Sequence, residues 1–235
     1  MKPTGGFAIA CVVCLALLGM SSVQADVYWN GTVSTAWTNA ANWTNGFPSD
    51  AGAGNTIINT GSPYTPVVST LGNTTTGQTY IMTGGGLNVV AGGALSTIDL
   101  VTGVSGNSGG TIVTGGLLTM SGYLNLGAGG KDGKIDISGG IVQSANLSIN
   151  AAGGAGMNIS GDGKYIANIS NLGNVNYWVA NNIIKANNGA SGWSIKVDTT
   201  TDPNKVMLTA VPEPATLALA AIGAVAVALR RLRKR

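Results

Sequence analysis

The chain has 235 residues with no histidine, two cysteines, and twelve Lys and Arg against nine Asp and Glu, for a formal charge of +3. Without histidine neither a Ser-His-Asp nor a Cys-His nucleophile can be assembled, and zinc loses its commonest nitrogen ligand. Between Asp26 and Val211, six lysines stand against eight aspartates with no arginine or glutamate, a net charge of minus two, so this stretch has no basic stripe and nucleic-acid binding is excluded.

At the N-terminus, Lys2 supplies a positive charge, Phe7–Met20 is almost wholly apolar, and Ser21-Ser22-Val23-Gln24-Ala25 ends in small residues. That order reads as a secretory signal peptide over residues 1–25, cleaved between Ala25 and Asp26, with the Sec machinery and signal peptidase as partners. Cys11 and Cys14 lie inside the removed segment, so their C-x-x-C spacing carries no redox or metal chemistry and the mature chain should hold no disulfide.

Residues 26–80 are read as an N-terminal cap followed by the first strands. Tyr28-Trp29-Asn30-Gly31, Trp37, Ala41-Asn42-Trp43 and Gly46-Phe47-Pro48 lead into Thr56-Ile57-Ile58. This W-N-G … W … A-N-W … P pattern resembles the start of secreted, autotransporter-like repeat proteins, which implies that the tryptophans cover the open end of a repeat stack. The functional alternative is an aromatic platform for sugar rings.

Residues 81–170 are read as β-repeats. Gly-rich sequence costs a helix about 1 kcal/mol per interior glycine, and no long apolar helical stripe is evident. Instead Leu87-Asn88-Val89, Leu124-Asn125-Leu126, Ile135-Asp136-Ile137, Leu147-Ser148-Ile149 and Met157-Asn158-Ile159 alternate with period two, the pattern of half-buried strands. Glycine steps at 115, 139 and 161 are separated by 24 and 22 residues, whereas 85 to 115 is wider and requires an inserted loop. A period in the low twenties predicts an all-β fold, a short right-handed parallel β-helix with an N-terminal cap; the alternative is an irregular antiparallel β-sandwich. Residues 171–210 are read as further strands ending in a hairpin, Trp193–Val197 and Val206–Ala210, joined by turn residues around Pro203.

The chain closes with Pro212-Glu213-Pro214, the apolar run Ala215–Leu229 and the basic residues Arg230, Arg231, Arg233, Lys234 and Arg235. Fifteen helical residues span about 22 Å against a hydrocarbon core of about 30 Å. Snorkelling arginines recover part of the deficit, and the positive-inside rule keeps that end in the cytoplasm. With an exported N-terminus, the body lies outside the inner membrane. Over residues 211–235 this order resembles the PEP-CTERM sorting signal. The resemblance implies recognition and cleavage near Pro212, Glu213 and Pro214 by an exosortase-type membrane protease, transient anchoring in the inner membrane by the C-terminal transmembrane helix, and release to the cell surface or extracellular matrix.

Asp132, Asp136 and Asp162, with Lys131, Lys134 and Lys164 nearby, are the candidate glycan or Ca²⁺ contacts of the body. Their Gly-rich surroundings are also ordinary turn sequences in which Asp bonds its own backbone. No cofactor and no resident metal is expected. The resulting expectation is a non-catalytic structural or adhesive surface protein associated with exopolysaccharide. The alternative is a β-helical polysaccharide lyase or hydrolase using those aspartates.

Overall fold

The computed structural model describes residues 24–59, 62–104 and 109–213. The residues before Gln24 that were read as a signal peptide, Pro214, the apolar run 215–229 and the basic tail lie outside the described residues. The strand β1 (Ala25–Trp29) pairs antiparallel with the two-residue β2 (Trp43–Thr44) and parallel with β3 (Ala53–Ile58). The short strands β4 (Val67–Val68) and β5 (Asn73–Thr74) begin two further ladders, while β6 (Thr79–Met82) continues the first on β3. The next repeat supplies β7 (Gly86–Val90), β8 (Ala94–Thr97) and β9 (Leu100–Val104), which lie parallel to β4, β5 and β6 respectively.

In the following repeats these three strands merge into long ones, β10 (Gly109–Leu126) and β11 (Gly133–Ile149). β10 pairs successively with β7, β8 and β9, and β11 follows β10 along its length, all in parallel. β12 (Gly156–Ile159) and β13 (Lys164–Asn168) add to β11. After the helix α1 (Leu172–Ala180), β14 (Ile184–Ala186) adds to β12. The hairpin β15 (Trp193–Asp198) and β16 (Lys205–Pro212) closes the chain and lies antiparallel on β13. All sixteen strands form one mixed sheet. Antiparallel pairs occur at its two ends, whereas the named pairs between β3 and β14 are parallel, so an antiparallel sandwich does not describe the interior.

Register explains the composition. Val68, Val89, Val113, Ile137, Ile159 and Ala186 are successive partners on six strands, and all are buried. A second line runs Leu95, Leu118, Val142, Tyr165 and Leu208, and a third runs Val27, Thr56, Thr79, Leu100, Leu124 and Leu147, again all buried. The lines are mostly branched or long apolar side chains, with Thr56 and Thr79 the polar members of the third, and full burial of one large apolar side chain contributes about 1.5–3 kcal/mol. The steps Val89 to Val113 and Val113 to Ile137 are 24 residues, and Ile137 to Ile159 is 22. No inserted loop precedes residue 115: Gly86 partners Gly110, and Gly115 partners Val90, so Gly85 and Gly115 occupy different positions of the repeat.

The corner after the first line needs left-handed backbone. Gly115 and Gly140 have φ of 113° and 73° there, and a Cβ on Gly140 would lie 2.2 Å from the Gly116 carbonyl oxygen. Only glycine fits both the torsion and the approach. The second corner is held by side chains. Buried Asn171 accepts from the Leu147 N–H at 3.0 Å and donates to the Ala145 and Asn168 carbonyls at 3.1 and 2.9 Å.

The N-terminal end is sealed by the aromatic cluster. Trp29, Trp37 and Trp43 are 2, 1 and 6 % exposed, with Trp43 edge-on to Trp29 at 5.0 Å and to Trp37 at 4.8 Å. Fully buried Asn42 accepts from the Val33 and Ser34 N–H groups at 3.1 Å and donates to Ser34 Oγ and the Ala36 carbonyl, which explains the A-N-W sequence. Rings so enclosed present no face to a sugar, so the platform alternative does not apply to them. At the other end the sequence reading missed α1. Leu172, Val175 and Val179 fall at i, i+3 and i+7, but Gly173, Asn174 and Asn176 dilute the pattern with weak helix formers. Burial of Val175 and Trp178 overrides propensity.

Some of the polar groups inside the stack are paired across repeats. Thr75 donates to Thr97 Oγ1 at 2.9 Å, and Thr97 lies 3.1 Å from Thr79 Oγ1. Ser144 donates its one hydroxyl proton to the Asn146 carbonyl at 2.8 Å, so the 2.7 Å contact with Tyr165 is a bond donated by the tyrosine. Burial pushes the Tyr165 hydroxyl far above its usual range. Two consequences follow. Ser144→Ala strands a buried donor and should cost about 1–3 kcal/mol, more than Tyr165→Phe at about 0.5–1.5 kcal/mol, with the double variant milder than Ser144→Ala alone; urea denaturation checks the order. Because the folded state holds the phenol proton more tightly, the Tyr165 contribution to stability is constant below about pH 10 and falls as pH rises above it. Alkaline melting should show a smaller fall in Tyr165→Phe.

Candidate functional site

The C-terminal motif grows out of the closing strand. Val206, Leu208 and Ala210 of β16 point into the core, and Pro212 is the last registered residue, opposite Trp193. β13 pairs only as far as Thr209, so no ladder lies on the other side of Pro212 to need its missing N–H. Glu213 donates its backbone N–H to the Gly192 carbonyl at 2.9 Å while its side chain is exposed. The first two motif residues are thus extended and tied to the body, with the glutamate presented outward. Pro214, the apolar run and Arg230, Arg231, Arg233, Lys234 and Arg235 lie outside the described residues. Among the described residues no helix is long and apolar enough to cross a membrane.

The expected signal-peptidase position falls at the other rim. Ala25 is exposed and Asp26 is the second residue of β1, its Oδ1 accepting from the Asn55 N–H at 2.9 Å. A cut between them removes one exposed strand residue and leaves buried Val27 and Trp29 in place.

The three candidate aspartates are not brought together. Asp132 and Asp136 line a groove of about 500 Å³ with Lys134, Asn88 and Thr111. A neighbouring groove of about 440 Å³ shares Lys134 and Asp136 and continues over Asn158, Lys185 and Asn188. Asp136 accepts from Asn158 Nδ2 at 3.1 Å, and Asp132 forms an exposed 3.4 Å ion pair with Lys134. Asp162 sits in the turn after β12, above Gly139, and lines neither groove. Among the described residues no group of three His, Cys, Asp or Glu is placed to hold a metal ion. Sequence reading missed a third groove, about 310 Å³, which draws together Tyr80 of β6, Asp99 from the turn just before β9, and Tyr123 and Asn125 of β10. No local sequence signal marked it, since Tyr80 and Asn125 share a repeat position only through their pairing with Val101.

Comparison with known families matches residues 210–234 to the PEP-CTERM protein-sorting motif. No curated protein and no solved structure matches the chain, so the autotransporter-like resemblance of the body finds no support. The motif match supports an exported, membrane-transiting protein that is sorted and processed by an exosortase. Since only the backbone of Glu213 bonds to the body, Glu213→Gln should block processing while leaving body stability within about 0.5 kcal/mol. Immunoblots for the precursor in the native host, with a thermal melt of the purified variant, read both effects.

Proposed function

We propose that the chain is a bacterial cell-surface or extracellular-matrix structural protein, non-catalytic and associated with exopolysaccharide, with a body that is a short right-handed parallel β-helix. The observation carrying this reading is the sorting motif at 210–234, joined without a linker to the last core strand. The β-helix reading is supported by parallel partners at 21- to 24-residue steps from Val68 to Ile159, from Leu95 to Tyr165 and from Thr56 to Leu147, and by one long strand, β10, that passes three earlier strands in turn. The right hand follows the general preference of parallel crossovers.

The apolar run 215–229 then serves as a temporary inner-membrane anchor, with the basic tail retained in the cytoplasm until cleavage. A scaffold role is supported by a surface of short strands and tight turns with dispersed, weakly charged polar groups. A lyase or hydrolase would require convergent carboxyls, and the separation of Asp162 from the Asp132 and Asp136 groove weighs against that alternative. Intact mass and fractionation in the native host test the reading. The expected product lacks residues 1–25 and everything beyond the Pro212–Pro214 region, and is found in the medium or matrix. A product retaining Arg235 in the inner membrane contradicts it.

A further inference from the structure

We propose that the strip formed by Gln78, Tyr80, Asp99, Tyr123 and Asn125 is a docking site for a neutral polysaccharide chain. The repeat register builds it. Tyr80, Val101 and Asn125 are partners across β6, β9 and β10, and Gln78, Asp99 and Tyr123 occupy positions two residues earlier on or just before the same strands. Strands lie about 4.8 Å apart and residues two apart are separated by about 6.6 Å, so the Tyr80 and Tyr123 backbones are diagonal neighbours about 12 Å apart. That span and the groove volume of about 310 Å³ suit a short stretch of oligosaccharide lying across the strands.

The polar groups of the strip are pre-set. Tyr80 donates its hydroxyl to Gln78 Oε1, Gln78 Nε2 donates to Asp99 Oδ2, and the Tyr123 N–H donates to Asp99 Oδ1. Glycine at 122 permits this, since a Cβ there would lie 2.1 Å from Asp99 Oδ1. A carboxylate offers about four acceptor sites, so two on Asp99 remain for ligand hydroxyls. The Asn125 side chain makes no hydrogen bond among the described residues and offers both a donor and an acceptor. Tyr123 is 49 % exposed, giving an amphipathic ring beside these groups. Hydroxyl-rich rings with apolar faces match that combination. No lysine lines the groove, and Asp99 repels acidic polymers, which selects a neutral chain over an anionic one.

This proposal rests on the surface or matrix reading but fails separately from it, because fractionation reports location and binding reports the strip. The test is affinity electrophoresis of the processed, exported protein in gels containing hydroxyethylcellulose or galactomannan, with alginate as the anionic comparison. Retardation is expected in at least one neutral gel and not in alginate. Tyr123→Ala and Asn125→Ala should each weaken it about tenfold with unchanged melting temperature, Tyr123→Phe should retain it, and Lys134→Ala, in the other groove, should leave it unaltered. Equal retardation of Tyr123→Ala and the parent protein, retardation in alginate alone, or none in either neutral gel overturns the proposal.

Discussion

Everything in this molecule depends on residues 21 to 27 apart along the chain meeting side by side in parallel and burying their side chains against one another. The line Val68, Val89, Val113, Ile137, Ile159 and Ala186 shows the constraint at its simplest. No single repeat can enclose these side chains, because each supplies only one layer of them. Stability is therefore a property of neighbouring layers, and left-handed glycines, Gly115 and Gly140, turn the chain at the same corner of two successive layers. The described residues contain no cysteine to reinforce that arrangement. Packing and backbone pairing carry it, helped by interior bonds such as Tyr165 to Ser144.

The same constraint dictates what the surface can do. Outward positions are also in register, so any side chain placed once per repeat becomes part of a line. Lys134 and Asp136 lie between two grooves for this reason, and Gln78, Asp99 and Tyr123 meet although they are far apart in sequence. The ends must break the pattern. Trp29, Trp37 and Trp43 fill one end, while an antiparallel hairpin and α1 close the other. The hairpin then hands the chain to the sorting motif with no intervening linker, so release near Pro212–Pro214 would leave the core intact.

Much of this was legible in the residues. Period-two triads such as Ile135-Asp136-Ile137 and Met157-Asn158-Ile159 can bury two side chains only as strands, and they pair as strands. The closing hairpin was marked by alternation on both sides of Pro203. The steps of 24 and 22 residues were visible from glycine, yet glycine also misled, since corner and strand glycines look alike and Gly85 was matched to the wrong one. α1 was hidden because its asparagines and glycine disfavour a helix that tertiary burial of Val175 and Trp178 imposes. The three aspartates shared a local turn chemistry, which says nothing about convergence, and Asp162 lies apart. The tyrosine strip was invisible for the opposite reason, since its members share no local motif and meet only once the register is known.

A cysteine pair placed on that register tests the account most directly. Ile112 and Asp136 are outward partners on β10 and β11, and a parallel spacing of about 4.8 Å falls within the Cα separations a disulfide spans, about 4.4–6.8 Å. In the exported, otherwise cysteine-free protein, Ile112→Cys with Asp136→Cys should oxidise to an intramolecular disulfide. Ile112→Cys with Lys134→Cys, shifted by two residues to about 8 Å, should remain reduced. Equal or preferred oxidation of the shifted pair would contradict the stack.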